Sequence, residues 1–262
     1  MLMGLVTLLA GCEQSSDSAS EQTSNIKTEL LAYIGITMAK PMAEIFDIME
    51  SRYDIKVTMT QGGSEDLYQS LKSSRLGDLY MPGSASYRER HKKDGLLGAY
   101  EDIGFNQASL MVVKGNPKNV RADVNELLRS DLDIVVCNPD SGSIGKESKK
   151  ILSSVGIYDQ VFEKSQYLTT DSRNLNKALR VGDADVILNW RATAFFPENR
   201  PNTEILDLPV TMAKPKKLQL NLLTFSDNPE AAKKVMEFAA SGEGQAIFRK
   251  YGFLDAKGNA EK

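Results

Sequence analysis

Short apolar strands alternate with helices along this chain, and turns of glycine and hydroxyl residues join them. No other feature constrains the fold as much. The clearest join is Thr60-Gln61-Gly62-Gly63-Ser64-Glu65-Asp66-Leu67. Before it, residues 55–59 alternate like a half-buried strand; after it, Leu67 and Leu71 stand one helical turn apart. Two glycines permit positive φ and let the backbone come close to a ligand. Ser64 is placed to cap the helix, which leaves first-turn N–H groups facing open space. Strand, Gly-Gly-Ser turn and helix start together make an anion cradle. The competing reading is a plain capped helix.

The same arrangement recurs. Strands are expected at 29–34, 55–60, 79–81 and 109–114, with helical periodicity through Met42, Ile45, Phe46 and Met49. The alternation then restarts with strands at 134–137, 167–169, 186–188, 205–208 and 218–225, and helices at 148–155 and 175–179. Two more helices follow, from Pro229 and from Gly244. This pattern predicts an α/β protein of two lobes, each a mainly parallel sheet flanked by helices. One lobe is expected over 28–109 plus 221–254 and the other over 110–220, leaving 255–262 as a tail.

In open α/β sheets, ligands bind beyond the carboxyl ends of the strands, so each strand-to-helix join is a candidate site. Besides Gly63 and Ser64 these are the Gly35-Ile36-Thr37 turn, the Ser141-Gly142-Ser143-Ile144 turn, Asp171-Ser172-Arg173 and Asn189-Trp190-Arg191. Hydroxyls, amides and helix N-termini can hold a dehydrated anion without a neutralising charge. Arg173 and Arg191 could add charge directly; the alternative for each is an exposed arginine or one paired with a nearby carboxylate.

The net charge of −3 over 262 residues gives no support for nucleic-acid binding. One histidine and no usable cysteine pair leave no metal-ligand cluster, and Ser143-Ile144-Gly145-Lys146 lacks a paired base, so neither enzyme activity nor a cofactor is expected. His91, in Arg88-Glu89-Arg90-His91-Lys92-Lys93, reads as solvated, and Cys137 as a buried core thiol. The apolar run 2–10 is too short to span a bilayer. It ends in Leu9-Ala10-Gly11-Cys12, which resembles the lipobox of bacterial lipoprotein signal peptides; no Lys or Arg precedes the run. The resemblance implies a signal peptide over 1–12 and lipidation at Cys12. Residues 13–27 hold almost no large apolar side chain and read as a flexible tether.

Taken together, Tyr33-Ile34-Gly35-Ile36-Thr37, Gly62-Gly63-Ser64, Gly77-Asp78-Leu79-Tyr80, Lys114-Gly115-Asn116-Pro117, Asn138-Pro139-Asp140 and Phe248-Arg249-Lys250-Tyr251-Gly252-Phe253 resemble the molybdate/tungstate-binding proteins of ABC importers. The resemblance spans residues 29–254. It implies a periplasmic-binding fold of type II, with a two-strand hinge and lobes that close over a tetrahedral oxyanion. Carried over by position, it implies ligand contacts at Thr37 (serine in the family), Gly63, Ser64, Ser143, Ile144, Ser172 and Asn189 (tyrosine in the family), with Arg191 as an added positive group. The implied partners are molybdate or tungstate and an ABC permease. The expected location is the periplasm or cell surface, for a monomer tethered to the membrane through Cys12. Two alternatives stay open: a receptor for phosphate, sulfate or a small organic anion, and a ligand-sensing adaptor.

Overall fold

The computed structural model describes residues 28–254; the signal peptide, Cys12, the tether and the tail lie outside them. β1 (Thr28–Gly35) carries the near-continuous apolar run of a strand covered on both faces. α1 (Ala39–Tyr53) buries Met42, Ile45, Phe46 and Met49, spaced to fall on one helix face. β2 (Ile55–Gly62), α2 (Ser64–Ser74) and β3 (Leu79–Met81) follow. β1 pairs in parallel with both β2 and β3. After the short α3 (Ser86–Arg90) comes β4 (Leu97–Asn106), a long strand that the sequence pattern did not suggest. Its middle is exposed and acidic, with Glu101 and Asp102 where alternation would need apolar residues.

At Ala108 the chain enters a second sheet. β5 (Ala108–Val113) is its centre, and β6 (Val136–Cys137), α4 (Ser143–Ser154), α5 (Tyr158–Lys164), β7 (Leu168–Thr169), α6 (Ser172–Val181), β8 (Val186–Trp190) and β9 (Thr203–Leu206) follow. β10 (Lys216–Leu223) returns to the first sheet, and α7 (Pro229–Ala240) and α8 (Gly242–Lys250) close the lobe. The first sheet has the order β2-β1-β3-β10-β4, the second β8-β5-β9, and β6-β7 form a parallel pair. A parallel bridge from Ile134 to Val186 links that pair to β8.

The two-lobed α/β architecture agrees with the sequence. The sheets are mixed, however: β10 runs antiparallel to β3 and β4, and β5 is antiparallel to β8 and β9. Sheet pairing places the crossings at Gln107 and between Leu206 and Lys216. Gln107 stitches them together: its Nε2 donates to the Leu208 carbonyl at 3.2 Å. Each lobe has its own core. Leu30, Ile34, Met42, Ile45, Leu218, Val235 and Phe248 build one, and Leu110, Ile144, Leu175, Val186, Ile187 and Trp190 the other.

Candidate functional site between the lobes

The parallel strands β1, β2, β3, β6 and β7 all end at one place. The turns after them, Gly35 to Thr37, Gly62 to Ser64, Gly83, Gly142 to Ile144 and Asp171 with Ser172, enclose a void between the lobes. This is the position that strand direction dictates for ligands in open α/β sheets. The void measures about 10 Å³, roughly the room of one water.

Three helix starts face it without a capping side chain: the 3-10 turn Ile36–Met38 that leads into α1, then α2 and α4. Their N-caps are Gly35, Gly63 and Gly142, so no side-chain oxygen competes for the first-turn N–H groups. The fourth helix, α6, differs: Asp171 accepts from the N–H groups of Arg173 and Asn174 at 2.8 and 3.0 Å. Ser64 is therefore not a cap. It occupies the first helical position, and its Oγ accepts the Gly83 N–H at 3.0 Å.

Thr37, Ser64 and Ser172 are 2–3% exposed. Ser143 Oγ accepts from the indole Nε1 of the fully buried Trp190 at 3.0 Å. An N–H only donates, so Ser64 and Ser143 each accept through a lone pair and each still carries a hydroxyl proton. Thr37 Oγ1 donates to Ser172 Oγ at 3.3 Å and joins the two lobes directly. Gly83 is required for the close approach: a Cβ there would overlap the Ser143 hydroxyl and lie 2.9 Å from its Cβ.

Six residues singled out from the sequence therefore meet here: Thr37, Gly63, Ser64, Ser143, Ile144 and Ser172. Asn189 and Arg191 do not line the void. Asn189 stands behind it, with Nδ2 on the Ser172 carbonyl at 3.0 Å and Oδ1 accepting from Trp190 N. Arg191 is taken up by Asp207 at 3.0 Å and by the Gly252 carbonyl of the other lobe. Arg173 Nη2 reaches across to Gln61 Oε1 at 2.7 Å, outside the void. Asp171, from the Asp171-Ser172-Arg173 join, lines the void as well, whereas Gly83 belongs to none of the joins read from the sequence. The Pro82-Gly83 pair reads as a strand terminator, and only the topology brings it opposite Ser143.

Beside the void the lobes are joined by charge. Glu65 accepts from Lys146 Nζ of the second lobe at 2.9 Å, and Asp66 accepts from Ser141 Oγ at 2.5 Å. Burial alone would raise the Glu65 pKa, but hydrogen bonds from Lys146 and Gln69 and the charges of Lys146 and His91 outweigh it. The result falls from the ordinary 4.5 to about 2. His91 is not solvated: its side chain is 11% exposed, stacks on Tyr68 at 3.6 Å and meets Glu65 at 3.2 Å. Burial lowers its pKa, against the pull of Glu65. Burial pushes the Cys137 thiol up to about 12, which leaves it unreactive. Among the described residues no group of three or more His, Cys, Asp and Glu side chains could hold a metal, and no helix is long and apolar enough to cross a membrane.

Residues 30–254 match the family described as bacterial extracellular solute-binding protein. The molybdate-binding protein ModA of Rhodobacter capsulatus is 22% identical over 230 residues, 86% of this chain and 88% of that one. A Haemophilus influenzae (strain ATCC 51907 / DSM 11121 / KW20 / Rd) protein, whose name suggests binding without stating a ligand, is 24% identical over 229 residues, 87% of this chain and 92% of that one. The solved structure of the sulfate-binding protein of Mycobacterium tuberculosis H37Rv superimposes with a TM-score of 0.72 at 18% identity, covering 86% of each chain.

Proposed function

The chain belongs to the bacterial extracellular solute-binding proteins, and from that premise we propose that it captures a tetrahedral oxyanion between its lobes and delivers it to an ABC permease. Molybdate and tungstate are the leading ions, given the molybdate-binding relative. One observation carries the reading. Three helix starts without a side-chain cap and the residues Ser64 and Ser143, each still carrying a hydroxyl proton, border one small void between the lobes. Helix N-termini and neutral donors favour an anion. A tetrahedral oxyanion is larger than one water, so the form closed on the ion is slightly wider than this one, with the Thr37–Ser172 hydrogen bond replaced by bonds to the ion.

Calorimetric titration with molybdate, tungstate, sulfate and phosphate tests this on the parent, Thr37→Val and Ser64→Ala. A hydrogen bond to a charged group is worth ~1.5–3 kcal/mol, so each variant should bind the preferred ion about ten- to a hundredfold more weakly. Undiminished binding by both variants would take these hydroxyls out of the site, and a parent that binds none of the four ions would end the oxyanion reading.

The anchor is part of the proposal. Cys12, after the Leu9-Ala10-Gly11 lipobox, carries the lipid that holds the protein at the membrane. Cys12→Ser should leave the membrane fraction and appear soluble; a variant that fractionates like the parent refutes the anchor.

A further inference from the structure

A second cavity opens beside the void and shares Ile36 and Ser172 with it. Its volume is about 490 Å³, within the range of small-molecule pockets, whereas the cradle has room for a head group only. Part of its wall is apolar, formed by Ala39, Ala43, Met59 and Phe196.

The rest is mainly polar and carries three cations, Lys40, Arg173 and Arg180, against one carboxylate, Glu198. Arg173 and Arg180 lie on α6 two turns apart, on one face. Arg173 Nη2 donates to the neutral Gln61 amide at 2.7 Å, and Arg180 Nη1 to the neutral Asn199 amide. Among the described residues neither has a carboxylate partner within ion-pair distance. The carboxylate in this wall, Glu198, is already paired with Lys40 at 3.2 Å. Two guanidiniums held in place by neutral amides keep their charge for a ligand and present it in a planar, bidentate form.

Asn176 sits between them on the same face. It is 2% exposed; its Nδ2 donates to the Ser172 carbonyl at 3.1 Å, and its Oδ1 has no hydrogen-bond partner. The carbonyl can only accept, so the amide orientation is set and Oδ1 faces its surroundings as an acceptor. A buried acceptor without a donor is uncommon; the residue borders the cavity, but this oxygen itself is closed off within the fold. In the cradle, Asp171 is the one ionisable lining residue. It can accept the proton that a phosphate monoester, with a second pKa near ~6, retains in part.

The geometry points to a two-compartment site for a small organic phosphate that also bears a carboxylate. The phosphate takes the cradle, and the carboxylate meets the α6 arginines. This rests on the anion-cradle reading and names a ligand class for the same cleft.

The test is calorimetric titration with inorganic phosphate, glycerol 3-phosphate and 2-phosphoglycerate, on the parent, Arg173→Gln and Arg180→Gln, with circular dichroism as the folding control. The parent should bind 2-phosphoglycerate at least about tenfold more tightly than inorganic phosphate. At least one arginine variant should lose about tenfold for 2-phosphoglycerate, and Arg180→Gln should keep glycerol 3-phosphate within about twofold of the parent. Equal affinity of the parent for 2-phosphoglycerate and inorganic phosphate overturns the proposal. So does undiminished 2-phosphoglycerate binding by both variants. Molybdate in the same series separates the two readings: a parent that binds molybdate but gains nothing from the organic body keeps the cradle and loses this compartment, and a parent that binds none of these ligands loses both.

Discussion

Asp171 is, among the described residues, the one ionisable residue that lines the void, and its Oδ1 caps α6 by accepting from the N–H groups of Arg173 and Asn174. A carboxylate beside an anion is unfavourable unless one of the two carries a proton. Sulfate and molybdate carry none at neutral pH; phosphate does in part. Asn caps as well as Asp, so Asp171→Asn should leave the thermal midpoint unchanged. It should also tighten sulfate and molybdate binding on the order of tenfold, as expected for removing one like charge across a partly screened distance. Titration of both forms reads this directly; unchanged affinities place the carboxylate outside the anion's field. The same scale shows what residue type alone conceals. Asn189 and Ser64 were both chosen as polar groups at a join, yet Asn189 serves the Ser172 carbonyl from behind and Ser64 lines the void. Arg191 was read as a possible ligand, and Asp207 takes it up instead.

α2 and α4 act as a pair of elements. Acidic residues in the first turn of α2 would repel an anion at its N-terminus, but the structure turns both onto the other lobe: Glu65 to Lys146 and Asp66 to Ser141. They neutralise each other's surroundings and clasp the lobes beside the void. Glu65 has a lowered folded-state pKa, so its contribution is complete above its ordinary 4.5 and is lost as pH falls from there toward about 2. Mild acid should therefore not release this clasp, whereas Glu65→Gln should weaken it at neutral pH and leave Lys146 beside Arg90 without a shared carboxylate. The expected result is about tenfold weaker anion binding in the variant, and no decline of the parent attributable to this group between pH 7 and 5. Thermal melts and titrations across that range check both; a variant that binds as tightly as the parent shows that the clasp does not support the bound state.

At the scale of the whole molecule, two cores joined by two crossings suit a hinged body, and we propose that the lobes part and close about Gln107 and the segment before Lys216. The two sides of the void come from different lobes, so neither satisfies an anion alone. Small-angle scattering should show a smaller radius of gyration at saturating ligand than without it. An unchanged radius would count against closure.

Much of this was written in local sequence. A short apolar run at Leu30–Ile34 and a period-3.6 pattern over Met42–Met49 set the element order, because a strand covered on both faces and a helix buried on one face each impose a spacing that neighbours in the chain must obey. Glycine and hydroxyl residues at the joins marked the turns that border the void, because a helix start needs particular residues whatever it later faces. β4 escaped because the pattern fails where a strand's middle is exposed. Tertiary structure alone decided three things: that Gly83 meets Ser143 across the lobes, that Glu65 finds Lys146, and that Arg173, Asn176 and Arg180 line one cavity with Met59 and Phe196. These residues come from separate segments of the chain. Their proximity follows from strand order and lobe closure, which no local spacing encodes.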